Sequence, residues 1–131
     1  MIIDNYLQRR EKEKRPIRVG LWGAGEMGKG MVNQVMRYTP GMVVSVVANR
    51  TISKAHEAYQ YAGYKATEAN DLSSLQKIVS SGGCAVTTNH ELLCQLDGID
   101  VLVECTGTIE LAARLTMKAI ENKKHIMLYN A

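Results

Sequence analysis

Ile17-Arg18-Val19-Gly20-Leu21-Trp22-Gly23-Ala24-Gly25-Glu26-Met27-Gly28 is the stretch whose reading decides the fold. Residues 17–22 are a short, mostly apolar run that stops at a glycine, which predicts a buried strand. Beyond it, Met27, Met31, Val32, Val35 and Met36 recur at helical spacing and predict an amphipathic helix over residues 27–37. The turn between them reads Gly-x-Gly-x-x-Gly, and its glycines have separate tasks. Gly23 allows the tight turn, Gly25 lets the backbone approach a pyrophosphate with no Cβ in the way, and Gly28 lets helix and strand pack closely. The helix N-terminus adds free N–H groups and the positive end of a dipole for the phosphates.

The next segment completes the unit. After the turn pair Pro40-Gly41, Met42-Val43-Val44-Ser45-Val46-Val47-Ala48 reads as a second strand, so strand, helix and strand form a βαβ motif. Asn49 follows, about twenty residues beyond the glycines, where a dinucleotide's ribose is read. An acidic residue there would bind both ribose hydroxyls and repel a 2′-phosphate. This chain instead has Asn49-Arg50-Thr51-Ile52-Ser53-Lys54 and no carboxylate until Glu57, which reads as a pocket for NADP rather than NAD. The competing reading has Thr51 or Ser53 capping the next helix while Arg50 and Lys54 are solvated. Capping and phosphate binding are compatible.

Further along, residues 53–61 are helical in pattern and end at Ala62-Gly63. Asp71 is the expected N-cap of a helix to residue 80, with Leu72, Leu75, Ile78 and Val79 on its apolar face. Residues 84–87 are a short strand candidate, and Asn89 opens a helical turn through Cys94. The near-continuous apolar run over residues 99–105 fits a strand covered on both faces. Thr106-Gly107 then turns into a helix over residues 109–122, and residues 125–129 form a last strand. This alternation predicts an α/β fold, a doubly wound parallel sheet with helices on both faces. Ligands bind along the carboxyl edge of such sheets, so Thr106 and Gly107, after what counts here as the fourth strand, form a second cofactor contact. Gly107 lets the backbone pass the nicotinamide ribose and Thr106 donates to it, unless the pair is an ordinary strand-to-helix turn.

Composition bounds the rest. At 131 residues the chain is one domain, short for a complete dehydrogenase, which usually adds a substrate domain. The net charge of +3 does not argue for nucleic acid or a membrane surface. Much of the charge lies in Arg9-Arg10-Glu11-Lys12-Glu13-Lys14-Arg15, a mixed-sign run that reads as a solvated helix face, pinned through Tyr6 and Leu7. Residues 1–15 are therefore an expected charged helical segment and residues 16–131 the dinucleotide-binding domain. No apolar stretch approaches the roughly 20 residues of a membrane span, and Met1-Ile2-Ile3-Asp4-Asn5 lacks the order of a signal peptide, so the expected location is cytoplasmic.

Cys84, Cys94 and Cys105 are odd in number and widely spaced, which excludes a disulfide framework and argues against zinc. Cys105 reads either as a small buried thiol or as a nucleophile at the cofactor edge. His56, His90 and His125 lack ligand spacing and read as surface or strand-flanking residues.

The order of Pro16-Ile17-Arg18-Val19-Gly20, GAGEMG, Ala48-Asn49-Arg50, Asp97-Gly98-Ile99-Asp100-Val101, Glu104-Cys105-Thr106-Gly107 and Lys124-His125-Ile126 resembles the N-terminal domain of homoserine-dehydrogenase-like oxidoreductases. Within them it is most similar to the branch of DXR-like enzymes and proteins with a C-terminal SAF domain. For some members that resemblance implies NADPH-dependent conversion of 1-deoxy-D-xylulose 5-phosphate to 2-C-methyl-D-erythritol 4-phosphate. By position it implies Gly23, Ala24, Gly25, Glu26 and Met27 as the pyrophosphate loop, Asn49 and Arg50 on the adenosine side, and Thr106 and Gly107 on the nicotinamide side. Glu26 suits the helix dipole but not a pyrophosphate, so its side chain is expected in solvent.

The resemblance also places the substrate residues beyond Ala131, so this chain alone is expected to be inactive, with its substrate bound through a C-terminal domain. Apolar surface left uncovered would favour a homo-oligomer. Three other classes compete: the nucleotide domain of a glutamyl-tRNA reductase, which shares GAGEMG and Ala48-Asn49-Arg50-Thr51; a redox-sensing module that binds the dinucleotide without turnover; and a methyltransferase, disfavoured because an acid is wanted where Asn49 stands.

Overall fold

The apolar strand before the glycine turn and the one after the helix that follows it are the centre of the sheet. In a computed structural model, which describes residues 2–129 apart from the side chains of residues 2 and 4, helix α1 (Ile2–Lys12) leads into β1 (Ile17–Trp22), α2 (Glu26–Tyr38) and β2 (Met42–Ala48). Then come α3 (Ile52–Tyr61), β3 (Thr67–Glu68), α4 (Leu72–Ser80), β4 (Ala85–Thr87) and a 3-10 helix (His90–Gln95). β5 (Val101–Glu104), α5 (Ile109–Glu121) and β6 (His125–Leu128) close the described chain. Residues 130 and 131, the end of the expected domain, lie outside the described residues.

The six strands form one sheet in the order β3-β4-β2-β1-β5-β6, with every pairing parallel. Parallel strands need crossovers, and the helices that make them cover both faces. Two clusters of buried side chains result. One joins Trp22, Val46, Leu93, Leu102 and Leu115 beneath the 3-10 helix and α5; the other joins Leu21, Val32, Val44, Val47 and Tyr59 beneath α2 and α3. The run over β2 does not alternate strictly, because the register slips there. Val19 pairs with Val44 and Gly20 with Val46, so Ser45 is an extra residue in a bulge, and Val44 and Val47 reach the same face.

Local chemistry explains the element ends. Asp71 caps α4 by accepting from Ser74 N–H at 2.9 Å, as its position before the apolar run predicts. The mixed-charge helix α1 is pinned by the Glu11 carboxylate, which accepts from Gly41 N–H at 2.7 Å, and by the Leu7 backbone packed on Gly41. Tyr6, one of the two expected anchors, is instead largely exposed and pairs with Arg10.

Three expectations are corrected. The sequence assigns no strand between residues 63 and 70, yet Thr67–Glu68 pairs with β4; at two exposed residues it is too short to carry a hydrophobic pattern. Thr106 and Gly107 therefore follow the fifth strand, not the fourth. That strand spans Val101–Glu104 rather than residues 99–105, because Asp100 leaves the ladder and its side chain accepts from Arg18 N–H at 2.8 Å. Met27, expected on the apolar face of α2, is about half exposed.

Among the described residues no helix is long and apolar enough to cross a membrane.

Candidate functional site

The chain runs from β1 to β2 and out to β3 at the edge, fills the gap between them with β4, then crosses to the other side of β1 to lay down β5 and β6. A parallel sheet opens a crevice at such a reversal, outside the carboxyl ends of the two central strands. Here the crevice lies between the turn after β1 and the loop after β5. The two are tied by backbone, Cys105 N–H donating to Trp22 C=O at 2.8 Å, while Gly23 N–H donates to Ala48 C=O at 2.8 Å and ties the turn to the end of β2.

The three glycines of the turn differ in what surrounds them. Gly23 has φ +99°, and a Cβ on it would lie 2.5 Å from the Cys105 carbonyl oxygen. On Gly28 a Cβ would lie 2.1 Å from the Gly23 carbonyl oxygen. Both positions exclude a side chain through the fold itself. Gly25 is different: a Cβ there meets nothing within 4 Å. It is also the N-cap of α2 and contributes no side-chain hydrogen bond, so no side chain caps the first-turn N–H groups from within. This is open backbone at the positive end of a 13-residue helix, a cradle that an anion's oxygens fit.

A cleft of about 270 Å³ at this edge is lined by Gly25, Asn49, Arg50, Thr51, Lys54, His90, Thr106, Thr108 and Leu111. Of the residues expected at the site, Gly25, Asn49, Arg50, Thr51 and Thr106 therefore meet in one cavity. Gly23, Ala24 and Gly28 are buried beneath it as support, while Glu26, Met27 and Gly107 are exposed outside its lining. Glu26 is in solvent, as its charge predicts.

Asn49 has a role the sequence does not reveal. Its side-chain oxygen accepts from Ala24 N–H at 3.0 Å and its amide nitrogen donates to Thr51 C=O at 2.9 Å. It ties the glycine turn to the start of α3, which uses much of the bonding capacity expected for a ribose. Thr51 occupies the N-cap position of α3 without a side-chain bond, so the capping interpretation of its hydroxyl fails and the group is left to the cleft. Arg50 and Lys54 are both exposed along the cleft wall, and among the described residues no carboxylate lines it.

Across the cleft, Glu104 is fully buried at the end of β5. Its Oε2 accepts from Thr106 N–H at 2.6 Å and is also hydrogen-bonded to the Thr106 hydroxyl. Thr106 was expected to donate to a ligand; with its proton directed to the carboxylate it presents an acceptor instead. Cys105 faces the opposite core, and burial, reinforced by the Glu104 charge, pushes its thiol up to about 11. A thiol so seldom ionised near neutral pH is a packing residue rather than a nucleophile. Cys94 is likewise pushed to about 11, chiefly by burial, and all three cysteines are free. No cluster of metal-ligating side chains occurs among the described residues.

His90 follows β4, in keeping with a strand-flanking position, and it also lines the cleft: its carbonyl accepts from Trp22 Nε1 at 2.8 Å, and burial holds its imidazole below the ordinary range, aided by Arg114 and Arg50. His90, Thr108 and Leu111 were missed because nothing in their spacing marks them. Their common signal is position just beyond the carboxyl end of a strand.

Known proteins agree with this geometry. The family model described as "Homoserine dehydrogenase, NAD binding domain" matches residues 23–131. A homoserine dehydrogenase of Pseudomonas aeruginosa is 29% identical over 117 residues, which are 88% of this chain and 23% of that protein. The crystal structure of a homoserine dehydrogenase from Thiobacillus denitrificans superposes with a TM-score of 0.64 at 28% identity, covering 88% of this chain and 23% of that one. A myo-inositol dehydrogenase from Lactobacillus casei, solved with NAD(H) and myo-inositol, shares the fold with a TM-score of 0.65 at 19% identity, over 86% of this chain and 28% of that one. An Actinomadura kijaniata 3-ketoreductase mutant, solved with NADP, does so with a TM-score of 0.60 at 19% identity, over 86% of this chain and 29% of that one. The glycine turn, the parallel sheet with its central reversal and the family match over residues 23–131 agree, and the chain belongs to the homoserine dehydrogenase NAD-binding domain family.

Proposed function

We propose that the chain is the cofactor domain of an oxidoreductase, that it prefers NADP(H) to NAD(H), and that residues 16–131 carry this function behind the charged helical segment of residues 1–15. The observation that carries the reading is Gly25: its neighbours in the motif are required by the fold, whereas it faces open space at an uncapped helix N-terminus. The pyrophosphate belongs there, on the turn formed by Gly23, Ala24, Gly25, Glu26, Met27 and Gly28. The preference for a 2′-phosphate rests on Arg50 and Lys54 at the cleft wall, where a carboxylate would repel it. Thr106 and Gly107 face the nicotinamide side.

Chemistry itself is assigned to protein outside this chain, which spans 23% of the length of its homoserine dehydrogenase relative. Hydride transfer needs a substrate held within roughly 3–3.5 Å of the nicotinamide and a group to move a proton. Within the cleft His90 is a described side chain able to move a proton, but no described residue there is placed to anchor a substrate, and outside the lining Glu104 is committed to Thr106 while burial pushes the Cys105 thiol up to about 11. We assign the substrate to a C-terminal domain and the whole protein to cytoplasmic, homoserine-dehydrogenase-like or DXR-like chemistry. Calorimetric titration with NADPH and NADH tests the domain's function, with quenching of the single tryptophan, Trp22, as a second signal. Saturable binding with NADPH tighter is expected. No binding of either overturns the dinucleotide reading, and equal affinity overturns only the preference. Turnover of NADPH by this chain with homoserine-related or deoxyxylulose phosphate substrates would overturn the assignment of catalysis elsewhere.

A further inference from the structure

Glu104 is the one buried carboxylate among the described residues, and the groups it bonds lie in the loop after its own strand rather than in the core around it. It sits on the sheet face occupied by Leu102 and Trp22, where an apolar side chain would serve as well. No lysine, arginine or histidine pairs with it among the described residues, and its Oε1 has no hydrogen-bond partner. A buried carboxylate whose Oε1 has no protein partner costs stability, so its presence calls for a reason. Among the described residues its side chain engages Thr106 alone, which lines the cleft.

The polarity of that engagement follows from donor and acceptor counts. The Thr106 N–H can only donate, so Oε2 accepts from it; a carboxylate has no proton to give, so the hydroxyl beside it donates as well. A hydroxyl has one proton and two lone pairs. With the proton used, Thr106 Oγ1 is an acceptor, and Thr108 N–H reaches one lone pair at a long 3.3 Å. The remaining lone pair is available to the cleft.

We propose that Glu104 is a positioning residue: by holding the Thr106 hydroxyl proton inward it makes the loop after β5 an acceptor site for a neutral donor on the nicotinamide half of the cofactor, either a ribose O–H or the carboxamide N–H. This inference rests on the dinucleotide reading. It assigns the two sides of the cleft opposite polarity, with cations and backbone N–H groups toward the phosphates and a lone pair toward the nicotinamide.

The test compares NADPH with adenosine 2′,5′-bisphosphate, which lacks the nicotinamide half, on the 131-residue chain. Glu104→Leu and Thr106→Val should each weaken NADPH binding by about tenfold, the weight of one hydrogen bond, and leave the bisphosphate unchanged. The double variant should lose no more than either single one, because both remove the same acceptor. Thr106→Ser and Glu104→Gln, which keep a hydroxyl and an accepting oxygen, should restore the affinity. The acetylpyridine analogue of NADPH separates the two donors, since it has no amide N–H: the Thr106→Val penalty disappears with it if the carboxamide is the donor and persists if the ribose is. If the unaltered chain binds neither NADPH nor the bisphosphate, the dinucleotide reading fails and the proposal with it. If it binds both and the variants weaken both equally or neither, only the role of Glu104 is overturned. Should Glu104→Leu not fold, Thr106→Val and the analogue decide.

Discussion

The turn after β1 and the loop after β5 face each other across one cleft and follow the same plan, a buried strand leading through a turn into an amphipathic helix of 13 residues. They solve the problem of meeting a ligand in opposite ways. The first removes side chains, so that bare backbone and a helix terminus reach the crevice. The second buries a carboxylate and uses it to orient a hydroxyl. The difference teaches that a glycine turn suits spread negative charge, which any N–H can meet, whereas a neutral group must be met by one atom of defined polarity.

The largest expected effect breaks the first turn as a structure. A Cβ on Gly28 would lie 2.1 Å from the Gly23 carbonyl oxygen, well inside van der Waals contact distance, so Gly28→Ala must displace α2 from β1. We expect a loss of about 3 kcal/mol, measurable by urea denaturation. Unchanged stability would mean that close packing does not dictate this glycine. Gly25→Val should behave in the reverse manner. Its side chain enters open space, so stability falls by no more than the loss of a glycine N-cap, about 1 kcal/mol, while NADPH affinity falls by about a hundredfold, about 2.8 kcal/mol, from collision with the pyrophosphate. Retained affinity in a folded Gly25→Val variant would reduce the motif to a turn.

Arg50→Ala sharpens the charge side of the comparison. An arginine bound to phosphate contributes roughly 1.5–3 kcal/mol, so NADP affinity should drop by about one to two decades while NAD affinity is unmoved. Equal losses for both cofactors would place Arg50 on a group they share. The smallest effect concerns the second loop. Because the Cys105 thiol is raised to about 11, first by burial and then by Glu104, the thiolate fraction is small at neutral pH and grows as pH rises toward that value. Alkylation of Cys105 by iodoacetamide, followed by mass spectrometry, should be slower than that of a free thiol at pH about 8 and should accelerate with alkali. Rapid labelling at neutral pH would restore the nucleophile reading.

Much of this contrast is legible without coordinates, but unevenly. The glycine turn can be read because its constraints are local: Gly23, Gly25 and Gly28 lie within six residues and between two strong periodic patterns. Asp71 can be read for the same reason, since an N-cap bonds to a residue three positions on. The short strand Thr67–Glu68 cannot, as its existence depends on β4 lying alongside. Nor can Asn49, whose amide reaches Ala24 across 25 positions of chain. His90 escapes notice because its place in the cleft is set by the carboxyl end of β4 and the helix that follows, while its own neighbours are ordinary.

By itself, the sequence determines the class of this protein: alternating apolar strands and amphipathic helices can bury their faces only as a parallel sheet covered on both sides, and the glycine spacing marks where that sheet meets phosphate. Tertiary structure alone decides which side chains share the cleft and which way their hydrogen bonds point. Gly25, Arg50, His90 and Thr106 come together because the chain reverses between β4 and β5, an event no local pattern records. The polarity of Thr106 follows from a carboxylate two residues away, whose burial the strand pattern foretells but whose bond to that hydroxyl depends on how the loop folds back. Periodicity is a property of neighbours in sequence, whereas the identity of a hydrogen-bond partner is a property of neighbours in space.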